Sequence, residues 1–376
     1  MTKSPRLHQN PLQLGAVFAL CFVLGLCLSA FASQPERDSH HPDFVSFDAP
    51  GAGTTSGTGT IANDINDWGL INGYSIDNNG VSHGFVRGWF GGILVFDAPG
   101  AGTGSGQGTQ AYSLNGMGTM TGYYIDAAGV NHGYVLSVFG GFTSFDAPSA
   151  GTGAGQGTQA GNINSRGETA GDYIDSAGTY HAFVRSASGT ITSFDPAGST
   201  GTLPSFVCGL NSAGVVTGNY YDAGSVEHGF LRSSDGSIVV FDVPGASGTG
   251  ASCINDAGTI VGLSSDSNGV YHGYLRSAHG TFTTFDVPGA GTGAGQGTLP
   301  QGINSRELVT GQYIDSNGVN HGFIRDRHGN ITTFDAPGAG TGSGQGTIPF
   351  TPNARGSITG QYIDADGVSH GFLRNP

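Results

Sequence analysis

Seven times the chain writes Phe-Asp and, 30–35 residues later, a His followed by Gly or Ala and then an aromatic residue. The Asp members are Asp48, Asp97, Asp146, Asp195, Asp242, Asp286 and Asp335; the His members are His83, His132, His181, His228, His272, His321 and His370. The spacing is 49 residues, shortened only around the fourth and fifth copies. Such a period constrains the fold before any local motif does, because each copy must be one supersecondary unit that buries its apolar face against its neighbours.

One copy, Thr158 to Pro196, lays out the unit: TQAGNIN, SRG, ETAGDYID, SAG, TYHAFVRS, ASG, TITSFDP. Four short segments rich in β-branched and aromatic residues, separated by Gly-containing turns, predict an antiparallel four-stranded meander with almost no helix. A Gly/Thr/Ser stretch such as GAGTGSGQGT at 100–109 carries the chain to the next unit. Seven such units predict an all-β, seven-bladed β-propeller of four-stranded antiparallel blades. A right-angled solenoid is the competing fold, but three tight reversals per unit disfavour it. The first segments, AYSLN, AGNIN, GASCIN and PQGIN, carry the small residues that strands crowded around an axis require.

The ends sharpen this expectation. The repeats begin with a lone fourth segment, FVSFDAP at 44–50, and stop after a third segment, HGFLR at 370–374. Pairing the two completes the last blade and closes the ring, removing two sheet edges that would otherwise invite aggregation.

The first residues are a different text. Lys3 and Arg6 precede an apolar run from about Leu14 to Leu28 and the small-residue site Ala30-Phe31-Ala32. This reads as a signal peptide over 1–32, followed by a short linker at 33–42 and one propeller domain at 43–376. Export to the periplasm, cell surface or medium follows, with no membrane insertion after cleavage. Lys3 is the only lysine, and beyond the signal 11 arginines face 27 acidic residues. With no basic cluster, nucleic acid is an unsuitable partner. Cys208 and Cys253 fall one register position apart in neighbouring repeats, and side-chain alternation along a strand then predicts two separate buried thiols, although export leaves a bridge possible.

The repeated text, HGFVR or HAFVR, a Gly turn, TxTxFDxPGA, xxIN and xxGxIxGxYxD, resembles the HAF-repeat family of bacterial extracellular proteins over essentially the whole chain beyond the signal. His181-Ala182-Phe183 spells the eponymous tripeptide. The resemblance implies export and a repeat fold, and brings no catalytic residue or common ligand. Departures are Leu136 in place of the usual Arg and the loss of the GQGT portion of the connection in copies four and five.

A metal site would gather its ligands around one ion, whereas equivalent residues on different blades are spread around a ring. The His and Asp sets therefore read as a hydrogen-bonded network within each blade. The second Asp, as in Asp126-Ala127-Ala128-Gly129, opens a D-x-x-G turn, and Asp364-Ala365-Asp366-Gly367 lacks the further ligands of a calcium loop. The glycine-rich connections lack the Lys-Ser/Thr ending of phosphate loops. No catalytic, cofactor-binding or metal-ligating residue is assigned.

Catalysis or selective binding needs unlike residues in one place. The copies disagree most two and three positions before the landmark Asn of the first strand: Asn63/Asp64, Tyr112/Ser113, Gly161/Asn162, Cys208/Gly209, Ser252/Cys253, Gln301/Gly302 and Phe350/Thr351. Near the axis of a propeller, Asn63, Asp64, Tyr112, Asn162, Gln301 and Phe350 become the candidate ligand-binding residues, although relaxed constraint beside a water-filled channel accounts for the same variation. The functional expectation is a non-catalytic, monomeric binding or scaffold module for a protein or an extracellular glycan. A lectin with weak sites repeated between blades is one alternative. An enzyme acting on extracellular polysaccharide through an acid such as Asp64 is another.

Overall fold

The computed structural model describes residues 44–376; the expected signal peptide and linker lie outside these residues. The described chain contains 28 β-strands and no helix. They form seven four-stranded antiparallel blades: 59–96, 108–145, 157–194, 201–241, 248–285, 297–334, and 346–374 together with Phe44–Phe47. First strands of successive blades lie side by side from blade 1 to 2, 2 to 3, 5 to 6, 6 to 7 and 7 to 1. The strand Phe44–Phe47 pairs antiparallel with Ser369–Arg374, with Phe44 opposite Arg374 and Phe47 opposite Gly371.

The Phe of each Phe-Asp pair is a wedge between blades. Phe96 of blade 1 meets Tyr134 of blade 2 edge-on at 6.3 Å, and Phe145 of blade 2 meets Phe183 of blade 3 at 6.0 Å. An Arg at the end of the receiving blade's third strand lies over the same ring, as Arg185 does over Phe145 at 4.7 Å and Arg87 over Phe47 at 4.8 Å. Leu136 takes the Arg position in blade 2 and packs in the apolar cluster with Tyr134. The Gly after six of the seven His residues fits this packing, since a Cβ on Gly84 would sit 2.7 Å from the Phe96 ring, while blade 3 carries Ala182 there.

The connections account for the GQGT motif. Gly108, at φ +110°, lies so close to the Ser82 backbone that any Cβ would collide with it. Gln107 Oε1 accepts from Gly104 N at 2.8 Å, while its Nε2 donates to Ala127 O at 3.2 Å. This joint locks the entry to a blade onto the third strand of its predecessor, in register Ser82 to Gly108. Blades 4 and 5, whose connections are short, enter without that parallel bridge.

The structure corrects the reading of the cysteines: Cys208 and Cys253 form a disulfide, with Cα atoms 4.8 Å apart. Alternation along a strand fails as a guide because the first strand of blade 4 ends at Pro204. Residues 206–208 then bulge out between Ser205 and Gly209, which both bond to Thr217, with Val207 at φ +79°, so Cys208 does not occupy the strand register assumed for it.

Candidate functional site: an axial cavity inside a repeated frame

Two repeated networks hold the frame. On one face, which we term upper, each repeat His receives the Asp of its own blade at Nδ1: His83–Asp97 at 2.9 Å, His132–Asp146 at 2.9 Å, His181–Asp195 at 2.8 Å, His228–Asp242 at 2.8 Å, His272–Asp286 at 2.8 Å and His321–Asp335 at 3.0 Å. In blade 7 the pair is His370 with Asp48, at 3.0 Å, from the opposite end of the chain. The Nε2 side faces the turn Asp in six blades, most closely Asp364 at 3.3 Å from His370. That turn Asp caps its own loop: Asp126 Oδ1 accepts from Ala128 N and Val130 N, and these amides hold its pKa below the usual value. Around His181, burial favours the neutral ring, but Asp195 and Asp175 outweigh it and raise the imidazole pKa.

Around the axis, on the lower side, the landmark asparagines form a belt. Asn66 Nδ2 donates to Asn115 O at 3.2 Å, Asn115 to Asn164 O at 3.2 Å, Asn164 to Asn211 O at 3.1 Å, and Asn211 to Asn255 O at 3.3 Å. Asn255 donates to Asn304 O at 3.2 Å, Asn304 to Asn353 O at 2.8 Å, and Asn353 to Asn66 O at 3.1 Å. Each amide oxygen meanwhile accepts turn amides of its own blade, as Asn66 Oδ1 does from Trp68 N and Leu70 N. The belt was not singled out as a functional set in the sequence, where Asn served only as a landmark.

The variable positions sit where the ladder breaks. Register shifts occur between Ala62 and Asp64, Ala111 and Ser113, Ala160 and Asn162, Ala251 and Cys253, Pro300 and Gly302, and Pro349 and Pro352. A β-bulge of this kind re-aims the unpaired residue. Asn63, Tyr112, Ser252, Gln301 and Phe350 thereby converge on one cavity of about 390 Å³ at the upper end of the axis. Second-strand residues complete its wall: Tyr74, Asn219, Leu263 and Gln361, each directly after a shared Gly. Tyr112 stacks on Tyr123 at 5.5 Å and packs against Phe206 at 5.0 Å. Glu227 is the cavity's only acid among the described lining residues, and burial raises its pKa.

Two of the candidates are elsewhere. Asp64 lines a separate opening of about 360 Å³ at the lower end, beside Asn66 and the disulfide. Its Oδ1 accepts from Ile65 N and Thr351 Oγ1, and its Oδ2 from Ser113 Oγ and Leu114 N. Burial nevertheless pushes its pKa up to about 6, against those four donors. Asn162 is 1% exposed, donates to Ser205 O at 2.6 Å and accepts from Gly209 N at 2.7 Å, so it anchors the displaced segment of blade 4. It is a brace, and not a wall of the cavity.

Asp172 was not singled out from the sequence. It occupies the second-strand position after the shared Gly171, is fully buried, and neither carboxylate oxygen has a hydrogen-bond partner. Burial pushes its pKa up to about 8. The signal was available: across the copies the residue after that Gly reads Tyr74, Tyr123, Asp172, Asn219, Leu263, Gln312 and Gln361, as diverse as the bulge positions. Charge is also divided between faces. Every Arg of the described residues lies in the lower turns or at the lower ends of third strands, while the upper face carries the seven His-Asp pairs and no Arg or Lys.

Among solved structures the chain is similar to a streptogramin B lyase, at TM-score 0.54 and 16% identity over 88% of this chain and 97% of that one. It is also similar to the BP39L lectin from Burkholderia pseudomallei, at TM-score 0.53 and 12% identity over 84% and 97% of the two chains. The chain has a β-propeller fold. A puromycin hydrolase matches the propeller at TM-score 0.51 and 12% identity over 84% of this chain and 53% of the hydrolase. No protein-family model and no curated protein matches the sequence. At these identities the likeness concerns the fold alone.

Proposed function

We propose that the propeller is an exported, non-catalytic binding module of the HAF-repeat kind, a monomer whose ring is closed by its N-terminal strand and which takes one ligand in the upper axial cavity. The observation that carries this reading is convergence: residues that differ from copy to copy meet in one place, while residues that recur are engaged in the frame. Aromatic rings from Tyr74, Tyr112, Phe206 and Phe350 beside the amides of Asn63, Asn219, Gln301 and Gln361 supply stacking faces and paired donors and acceptors. That combination suits an extracellular glycan, whose rings present apolar faces and hydroxyl edges. Among the described lining residues Glu227 has no second carboxylate across the cavity for acid-base work, and Asp64 uses its oxygens to join blade 1 to blades 2 and 7.

Closure of the ring is supported by the Phe44–Phe47 pairing, the His370–Asp48 contact and the Asn353-to-Asn66 bond. Calorimetric titration of residues 33–376 with a panel of soluble extracellular glycans tests the binding reading. One site per chain, lost in Tyr112→Ala, is expected. Several equivalent sites would instead place binding between blades, and turnover of a glycan abolished by Glu227→Gln would make the cavity catalytic.

A further inference from the structure

Five blades fill one position with a tyrosine, and the other two, blades 1 and 5, place a serine there. Tyr124, Tyr173, Tyr220, Tyr313 and Tyr362 each lie against the repeat His of their blade, with ring centroids 4.9–5.1 Å apart. In blade 2 the phenol oxygen of Tyr124 is 3.1 Å from Ser144 Oγ, and in blade 7 that of Tyr362 is 2.8 Å from Ser46 Oγ. The other side of the ring rests on the connection, where a Cβ on Gly100 would be 3.6 Å from Tyr124. In blade 5 the residue at this register is Ser264, opposite His272.

The space remains. A cavity of about 280 Å³ is bounded by Ser264, His272, Thr284, Gly245, Asp266 and Asp286, the counterparts of the groups that enclose Tyr124. His272 is accordingly the most exposed of the seven network histidines, at 35% of its side chain against 20–26% elsewhere. Thr284 stands where Ser144 meets the phenol, third in its four-residue strand. We propose that blade 5 carries a binding site for a phenolic ring, stacked on His272 with its hydroxyl on Thr284. Size permits it, since a cavity of about 150 Å³ already takes benzene.

Blade 1 has the same replacement, Ser75, but Val95 occupies the place of Thr284. A ring entering there would find no hydroxyl, so hydroxyl selectivity belongs to blade 5. The site is separate from the axial cavity and does not depend on what that cavity binds.

The test is titration of the full chain beyond the signal with p-cresol and with toluene, followed by NMR of the His272 ring protons and the Thr284 methyl. Saturable shifts with p-cresol are expected, with toluene weaker by about fivefold, the worth of one net hydrogen bond of about 1 kcal/mol. Ser264→Tyr, which rebuilds the arrangement of the five sister blades, is expected to abolish the shifts. Thr284→Val is expected to keep ring binding and erase the preference for p-cresol. Unmoved His272 and Thr284 resonances in the wild type, equal shifts in Ser264→Tyr, or a hydroxyl preference that survives Thr284→Val would each overturn the proposal.

Discussion

Asp172 stakes the propeller's stability on a proton. Its carboxyl is fully buried without a partner, and burial pushes the pKa from 3.8 to about 8. The unfolded chain releases that proton near pH 4, whereas the folded chain holds it until about pH 8, so the folded state binds more protons across that window. Stability therefore falls as pH rises from about 4 to 8, and this contribution is flat outside those limits. At about 1.4 kcal/mol per pH unit the loss is on the order of 5 kcal/mol. Asp172→Asn carries no titrating group and reproduces the Asn219 found at this register in blade 4. Urea unfolding of both proteins between pH 4 and 8 isolates the effect, because every other ionisable group is common to both. The variant should match the wild type within about 1 kcal/mol at pH 4 and exceed it by several kcal/mol at pH 8, the unpartnered amide costing about the same at either pH. Parallel stability curves for the two proteins across that range would refute the reasoning.

The remaining predictions address the frame and the cavity. Removing residues 44–50 takes away the pairing with Ser369–Arg374, the Phe44–Phe372 stack at 5.0 Å and the His370–Asp48 contact. At about 2 kcal/mol per partly buried Phe and about 1 kcal/mol per hydrogen bond, a loss above about 5 kcal/mol is expected, and a truncated chain that melts like the full one would contradict ring closure. Asn115→Ala strips the Asn164 carbonyl of its donor and frees two turn amides, so a cost of about 1–3 kcal/mol in thermal unfolding is expected. Cys208→Ser should cost about 2–4 kcal/mol in guanidinium unfolding without reductant and should match the reduced wild type, whereas no difference from the oxidised wild type would remove the disulfide from the account.

Much of the fold was legible because its period is written in residues with fixed jobs. Gly turns separated the segments, and Phe-Asp and His marked the fourth and third strands of every blade. What escaped was decided by departures from the ladder. Asn63 and Asp64 are adjacent in sequence and read as one site, yet the bulge between Ala62 and Asp64 sends them to opposite ends of the axis. Cys208 and Cys253 read as facing apart because an unbroken strand was assumed through blade 4, which stops at Pro204. Asp172 passed unnoticed because neither its burial nor its lack of partners is written in local sequence. Only a register that places it beside Gln159 and Ala182 reveals them.

The division between constant and variable positions follows from what each side chain touches. A repeat Phe wedges into the next blade, a repeat Arg covers that Phe, and each belt Asn holds the next carbonyl. Changing one of them opens a seam between two blades, and every seam is needed because no blade buries its faces alone. Tyr112, Gln301 and Phe350 at the bulges, and Leu263 and Gln361 after the shared Gly, carry no such duty, since they line the axial cavity; Asn162 and Asp64 brace neighbouring blades instead, and Asp172 is buried in the frame. Substitution at those lining positions opens no seam between blades and changes chiefly what the cavity can hold. A seven-copy chain can thus acquire an asymmetric site where its symmetry is structurally idle. Blade 5 follows the same logic at the rim: replacing Tyr with Ser264 removes a stack but leaves the His272–Asp286 pair in place, so the blade keeps its clamp while a ring-sized place becomes open to a ligand.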